Sequence, residues 1–384
     1  MDLSEAYPEL LDIVAQKHFD YYEDYLNFSG VSKSWHSIAV QAVTKVKVSY
    51  TNGLLSRLPS LFLGEKKEDV EFRELFFLSN NTIRKIRLPE AYVKSCVSSS
   101  GWLLTVGDDY VTKLVNPLSR ETFDLPDMFE HADYDDGIRK VLFSSQSQMV
   151  VVLWGCLKLT FCCIGDVNWT RIETCWHGAI HDITYYDGRV YFIDEKFRIK
   201  SCDAHGNDPV VVDVSQLPKC FRSGGLEIVY ILGLDDERKK LLVVIKELLT
   251  ILTEDGFMAE LVTYKTKNFQ VFEYDLVNGE WLKVNDLGKR TLFVGFSSSF
   301  CVEDTSGVIK ANCIYYTHHS PLCIQMSATN RHDKLYRSQS NWRSYTGSEW
   351  DMGIYHMCDE TIEPTHFIGD LSTQVSPPIW VQTM

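Results

Sequence analysis

A small helical unit followed by a large all-β domain, α+β by segregation, is the fold class that this sequence predicts. Three observations carry it. Apolar residues recur at helical spacing only ahead of Lys45. Short β-branched and aromatic runs, separated by Gly, Asn, Asp and Ser, fill the remainder. That remainder also carries a weak internal recurrence over tens of residues, which suits a β-propeller ahead of other all-β architectures. The expected division is residues 1–45 and 46–384, with a loop-rich stretch near 328–350.

The helical part reads as three short segments. Pro8 suits a first helical position, where its missing N–H costs nothing, and Glu9 favours the positive end of the helix dipole. Leu10, Leu11, Ile13 and Val14 give this helix its apolar side. A second segment, Tyr21 to Phe28, follows Asp20 as a candidate N-cap. In the third, Val31, Trp35, Ile38, Ala39, Ala42 and Val43 form a single helical stripe that opens after Gly30. A unit this small needs the following domain or a partner to stabilise it.

The run YPELLDIVAQKHFDYYEDYLNFSGVSKSWHSIAV resembles an F-box, with matches at Pro8, Leu11, Ile13, Leu26, Val31, Lys33 and Trp35. Tyr7, Ser32 and His36 stand where that family usually has Leu, Cys and Arg. The resemblance implies docking on the Skp-type adaptor of cullin-RING ubiquitin ligases through Pro8, Leu10, Leu11, Ile13, Leu26, Val31 and Trp35. Large buried apolar anchors dominate such interfaces, so Trp35 weighs more than Ser32.

After Lys45 the runs VKVSY, ELFFLS, WLLTVG, VTKLVNP, MVVVLW, LKLTFCCIG, DITYYDGRVYFID, RIKSCD, LLVVI, FQVFEYD, TLFVGF and CIYYTH read as strands. Asp187-Gly188 between aromatic runs predicts a tight hairpin. A short helical stretch is expected only at Pro59–Leu63. Segments such as VTKLVNPLSRETFDLPD and FQVFEYDLVNGEWLKVNDL repeat one plan, a strand, a polar turn and an apolar-ended segment. In two of the repeats Trp169 and Trp281 follow the turn.

GWLLTVGDDYVTKLVNPLSRETFDLP, then NWTRIET with IHDITYYDGRVYFID, then FQVFEYDLVNGEWLKVNDLGKRTLFVGFSSSF, ANCIYYTHHS and DMGIYHM resemble the large C-terminal domain of plant F-box proteins, in that family's order. The region Gly225–Lys267 departs from the family's usual pattern. Together the two resemblances imply an F-box followed by a propeller-like recognition domain. The function implied is substrate recognition within an SCF-type ubiquitin ligase, with an unidentified protein substrate and no catalysis by this chain.

Composition narrows the alternatives. A formal net charge of −14 with no Lys/Arg-rich run disfavours nucleic acid. Eleven scattered cysteines, among them Cys156, Cys162, Cys163 and Cys301 in apolar runs, fit reduced thiols better than a disulfide framework. The acidic opening MDLSEAYPEL does not read as a signal peptide, and the apolar runs are too short to span a bilayer. A cytoplasmic or nuclear setting is expected, with no membrane partner.

No phosphate loop or nucleophile elbow is present. Asp133, Asp135 and Asp136 lack Ca²⁺-loop spacing and read as a solvated loop. His177 and His181, near Cys175, have helical ligand spacing but sit in a turn-and-strand pattern, and His318-His319 should point to opposite faces of a strand. Neither a metal nor a cofactor is expected. Trp102, Trp169, Tyr191 and Trp281 read as core, whereas Tyr110, Trp342, Tyr345 and Trp350 are candidates for a recognition surface. Two other readings stay open. One is a ligand-binding or enzymatic propeller with a helical cap, which carboxylates or histidines converging on the central channel would favour. The other is a non-ligase scaffold with a degenerate F-box.

Overall fold

A computed structural model gives the structure of the chain and describes residues 8–18, 28, 31–38, 58–63, 71–79, 81–92, 94–107, 110–127, 138–155, 157–173, 178–204, 209–221, 225–234, 239–255, 259–304, 307–319, 350–364 and 378–382, with backbone only at 8, 15–18, 250–255 and 259–263. Within these bounds helix is sparse. Helix α1 spans Pro8–His18, with Glu9 in its first turn, and a second short helix runs over residues 33–38. Of the expected middle helix only Phe28 is described, and residues 39–45, the strand VKVSY, Asp133 to Asp136, His177, Cys175, Trp342 and Tyr345 lie outside the described residues.

The β-rich part forms six sheets. The first contains β1 (Ser60–Phe62), β2 (Phe72–Phe77) and β3 (Thr82–Arg87). The second contains β4 (Ser95–Ser99), β5 (Trp102–Val106), β6 (Thr112–Val115) and β7 (Thr122–Asp124). Next come β8 (Ile138–Ser144), β9 (Met149–Trp154), β10 (Lys158–Cys163) and β11 (Thr170–Ile172) in the third. The fourth holds β12 (Ile180–Tyr186), β13 (Arg189–Asp194), β14 (Arg198–Cys202) and β15 (Val211–Gln216). In the fifth are β16 (Glu227–Leu234), β17 (Lys240–Asp255), β18 (Ala259–Asp275) and β19 (Trp281–Val284). The sixth has β20 (Arg290–Val294), β21 (Phe300–Glu303), β22 (Cys313–Tyr316), β23 (Gly353–His356) and β24 (Ile362–Pro364), and the last strand, β25 (Ile379–Val381), returns to the first sheet beside β1.

This is a six-bladed β-propeller. Each of blades 2 to 5 is an antiparallel meander in sequence order, and β4, β8, β12 and β16 contact one another successively around the axis. β25 contacts β4, so the first blade takes its innermost strand from the far end of the chain and the ring closes through backbone hydrogen bonds. Blade 6 differs: β20 pairs with β22 in parallel and with β21 antiparallel.

Sheets stacked around an axis are covered on both faces, so their strands bury continuous apolar runs rather than alternating ones. Met149–Trp154 is buried at every position. Trp380 on β25 packs edge-on to Phe293 on β20, centroids 5.0 Å apart, which joins blade 6 to blade 1. The Asp187-Gly188 hairpin forms as the sequence indicates. Both residues take positive φ, 48° and 76°, and Tyr186 pairs with Arg189.

Two expectations need correction. Pro59–Leu63 is not helical: Ser60–Phe62 is strand β1, buried throughout and paired on both sides with Leu75–Phe77 and Ile379–Val381. Its three-residue apolar run, Leu61–Leu63, is helix-like only in isolation, and pairing partners far along the chain decide it. Trp350 is not a surface recognition residue, and Tyr110 is only half-buried. Tyr110 packs against the core of blades 1 to 3, 6.5 Å from Trp154, and Trp350 is 6% exposed beside His318.

Candidate functional site

Two places gather residues with functional character. The first is the helical unit, which has a small core of its own. Leu11, Phe28 and Ile38 are buried together with Trp35 packed against them, and the Phe28 and Trp35 rings lie 4.4 Å apart. Ser32 caps the helix over 33–38: Trp35 N–H donates to Ser32 Oγ at 3.3 Å, and His36 N–H donates to Ser32 O at 2.9 Å. The hydroxyl that departs from the F-box pattern therefore has a local task here, which the motif comparison missed. The signal was available, since Ser ahead of an amphipathic run is an N-cap pattern.

This core turns other apolar groups outward. Leu10 is 57% exposed, Ile13 47%, Val14 40% and Val31 53%. Leu10, Ile13 and Val14 follow i, i+3, i+4 spacing and so share one face of α1, with Leu11 about a quarter turn away. The expected adaptor-binding set thus divides: Leu10, Ile13 and Val31 face outward, while Leu11 and Trp35 build the core beneath them. Pro8 opens α1, and Leu26 lies outside the described residues.

The second place is the propeller axis, where sequence reasoning found no site. Lys140 on β8 directs Nζ at Gly295 O (2.9 Å), Ser297 O (2.6 Å) and Asp182 Oδ1 (3.2 Å). Asp182 on β12 accepts from Ile183 N–H at 2.9 Å and from Ile231 N–H of β16 at 3.1 Å. Ser98 on β4 donates its N–H to Ser297 Oγ at 3.1 Å and its hydroxyl to Trp380 O on β25. Ser298 donates N–H to Ser98 O (3.2 Å) and Oγ–H to Val141 O (2.5 Å). The segment between β20 and β21 therefore crosses towards the opposite blades, and all six blades meet in one buried polar network.

Burial lowers the pKa of Lys140 and raises that of Asp182, each opposed by its partner's charge. Three oxygen acceptors around Nζ and three donors around the carboxylate hold the charged forms in place. Nearby, His319 lies 3.5 Å from Arg139 Nη2 and 3.3 Å from Tyr230 Oη, and burial holds its imidazole neutral. Burial, then the Arg139 charge, pushes His181 down to about 3. His318 falls to about 3 by burial and the neighbouring Lys246. It accepts from Asp351 N–H at 3.2 Å, and Asp351 pairs with Lys246 at 2.8 Å. The adjacent histidines take different partners, although both lie beyond the end of β22 and strand alternation does not apply to them.

Carboxylate, lysine and histidines do converge near the axis, the feature that would favour a channel enzyme. Each of Arg139, Lys140, His181, Asp182 and His319 is 6% exposed or less, however, and Lys140 and Asp182 are bound to neighbouring blades. This arrangement ties the ring together. Among the described residues no group of three or more His, Cys, Asp or Glu is placed to hold a metal ion.

One further constellation has the look of a nucleophile relay. Cys313 Sγ lies 3.4 Å from His356 Nδ1, and His356 Nε2 lies 3.0 Å from Glu363 Oε2. Burial first, then neighbouring acids, push the Cys313 thiol up to about 11, partly offset by Lys310. At neutral pH it is a thiol, not the thiolate that nucleophilic chemistry needs.

Comparison with known proteins matches residues 75–356 to the family described as KIB1-4 beta-propeller. A protein of Arabidopsis thaliana that carries the F-box designation in its name, At5g55150, is 25% identical over 82% of this chain and 84% of its own length. A second Arabidopsis thaliana protein with that designation, At5g60060, is 24% identical over 47% of this chain and 45% of its own. Among solved structures, the Cps50 (Swd1) β-propeller domain of Myceliophthora thermophila overlaps 53% of this chain and 77% of its own, at 9% identity and a TM-score of 0.31.

Proposed function

Because the chain belongs to the KIB1-4 β-propeller family, we propose that it is the substrate-receptor subunit of an SCF-type cullin-RING ubiquitin ligase. Its helical unit docks on a Skp-type adaptor and through it on the cullin, and the propeller holds a protein substrate. The observation that carries this reading is the outward apolar set Leu10, Ile13, Val14 and Val31 on a unit that has a core of its own among the described residues. Such a set marks an interaction site. The F-box designation of the two Arabidopsis relatives supports the same assignment.

The chain then contributes proximity. Holding a substrate lysine beside an E2-linked ubiquitin raises its effective concentration, and the bond-making groups belong to other subunits. A protonated Cys313 is consistent with that division of labour. The compartment proposed is cytoplasmic or nuclear, where free thiols such as Cys162, Cys202 and Cys313 persist.

Co-purification with a Skp-type adaptor tests the proposal. Wild type should retain the adaptor. Leu10→Asp with Val31→Asp should lose it, since both side chains are exposed and their replacement leaves the core of the unit intact. Pro8→Ala with Trp35→Ala should also lose it, by disturbing the helix start and the core. Ser32→Cys should bind nearly as wild type. Equal recovery of wild type and the Leu10/Val31 variant, or no recovery of wild type, overturns the reading and leaves the scaffold alternative.

A further inference from the structure

The cross-strand pair Cys313↔His356 joins β22 to β23 in blade 6. Met357 N–H donates to Asn312 O at 3.1 Å, so this pair falls on a non-hydrogen-bonded site of the ladder, where facing side chains come closest. Cys313 Sγ accordingly lies 3.4 Å from His356 Nδ1. On the other side of the ring, His356 Nε2 stands 3.0 Å from Glu363 Oε2 of β24, and Lys310 holds the same oxygen. With Nε2–H given to the carboxylate, Nδ1 keeps its lone pair for the thiol proton.

These are the outer bonds of a metal-ligating histidine. One ring nitrogen rests on a carboxylate that fixes tautomer and orientation, and the other is turned to the metal. The spacing fits as well. Bonds of about 2.3 Å to sulfur and about 2.1 Å to nitrogen, at a tetrahedral angle, set two donors roughly 3.6 Å apart. Cys313 and His356 stand within a few tenths of an ångström of that separation. A metal ion between them takes the place of the thiol proton.

A third donor follows on the adjoining turn. Cys358, two residues past His356, is diagonal to Cys313 and exposed, and its charge bears on the Cys313 thiol ahead of those of Glu363 and Asp359. Diagonal neighbours are roughly 7 Å apart. A disulfide needs Cβ atoms within about 4.5 Å, whereas two thiolates that share a tetrahedral ion allow roughly 7 Å between theirs. Among the described residues no three such donors already surround one point, so Cys358 joins by rotating its exposed side chain. Two thiolates neutralise a divalent cation, which leaves the Lys310–Glu363 pair undisturbed.

We propose that Cys313, His356 and Cys358 form a zinc site that fastens the turn between β23 and β24 to β22, with a solvent-facing fourth position. Thiolate and imidazole donors select zinc over magnesium or calcium. The site is independent of the substrate-receptor reading and stands whether or not the chain binds an adaptor.

The full-length chain, reduced and freed of metal with EDTA, is titrated with Co²⁺ as the spectroscopic probe and then with Zn²⁺. Co²⁺ should give thiolate-to-metal charge transfer with tetrahedral d–d absorption, and Zn²⁺ should displace it. Zn²⁺ at ten times its Kd should slow iodoacetamide alkylation of Cys358 about tenfold relative to the exposed Cys220, as read by mass spectrometry. Cys358→Ser, on an exposed turn, should halve the charge-transfer band at saturation and weaken Zn²⁺ binding. Glu363→Gln should keep the band and weaken Zn²⁺ about tenfold, an effect that a merely structural ion pair would not produce. Cys220→Ser should change neither. Absence of charge transfer, or equal losses in the Cys358 and Cys220 variants, overturns the proposal. So does protection of Cys358 that survives EDTA and yields only to a reductant, which marks a disulfide.

Discussion

Lys140 Nζ on blade 3 stands 3.2 Å from Asp182 Oδ1 on blade 4, and the two side chains are 1% and 0% exposed. Charges so deeply placed are expensive to desolvate, and they persist because backbone groups of blades 5 and 6 complete their bonding. The pair is thus a joint shared by four blades.

Removing one partner should therefore cost far more than removing both. Lys140→Met leaves the Asp182 carboxylate buried without its cation and is expected to lower unfolding free energy by about 3–5 kcal/mol. Lys140→Met with Asp182→Leu should recover much of that loss. Denaturant unfolding of the two variants beside wild type measures the difference, and a double variant less stable than the single one would contradict this account.

Acid sensitivity follows from the buried imidazoles. His181 and His318 have folded pKa values of about 3 against an ordinary 6.5, so between those values the unfolded chain binds protons that the folded chain does not. Stability is intact above pH 6.5 and is lost as pH falls towards 3, by about 1.4 kcal/mol per pH unit for each group. Carboxylates with lowered pKa, such as Asp351, add their own loss only below about 4. Urea midpoints from pH 7.5 to 5 should fall, and His181→Phe or His318→Gln should flatten the slope. An unchanged slope in both variants would count against neutral buried histidines.

The segment that crosses the axis leaves no room at Gly295. A Cβ there would lie 2.0 Å from Thr317 Oγ1 and 3.3 Å from Thr317 Cβ. The β-branched threonine has few χ1 alternatives, and its Cβ stays 3.3 Å away whichever it takes. Gly295→Ala should cost about 1–3 kcal/mol, and adding Thr317→Ala should return part of it. Thermal unfolding of the double-mutant cycle tests this, because two independent residues would show additive losses.

Much of the ring was legible in the chain. Runs such as MVVVLW and CIYYTH name strands buried on both faces, and Asp187-Gly188 names its hairpin, because these signals depend on side-chain size and turn geometry within a few residues. The first α-helix was equally readable from Pro8, Glu9 and the Leu10–Val14 spacing. Pro59–Leu63 was misread because its fate depends on Ile379–Val381, over three hundred residues away. Lys140, Asp182 and Ser98 drew no attention because a charge inside an apolar strand pattern acquires its meaning only when six strands converge.

The sequence by itself determined that a small helical unit precedes a repeated β architecture, since helical and strand periodicities are local properties of side-chain order. Only the tertiary structure decided that the blades number six and that the last strand closes the first blade. It also decided which of Leu10, Leu11, Ile13, Val31 and Trp35 face outward and which fill a core. Burial and blade-to-blade pairing are sums over distant contacts, and no window of neighbouring residues contains them.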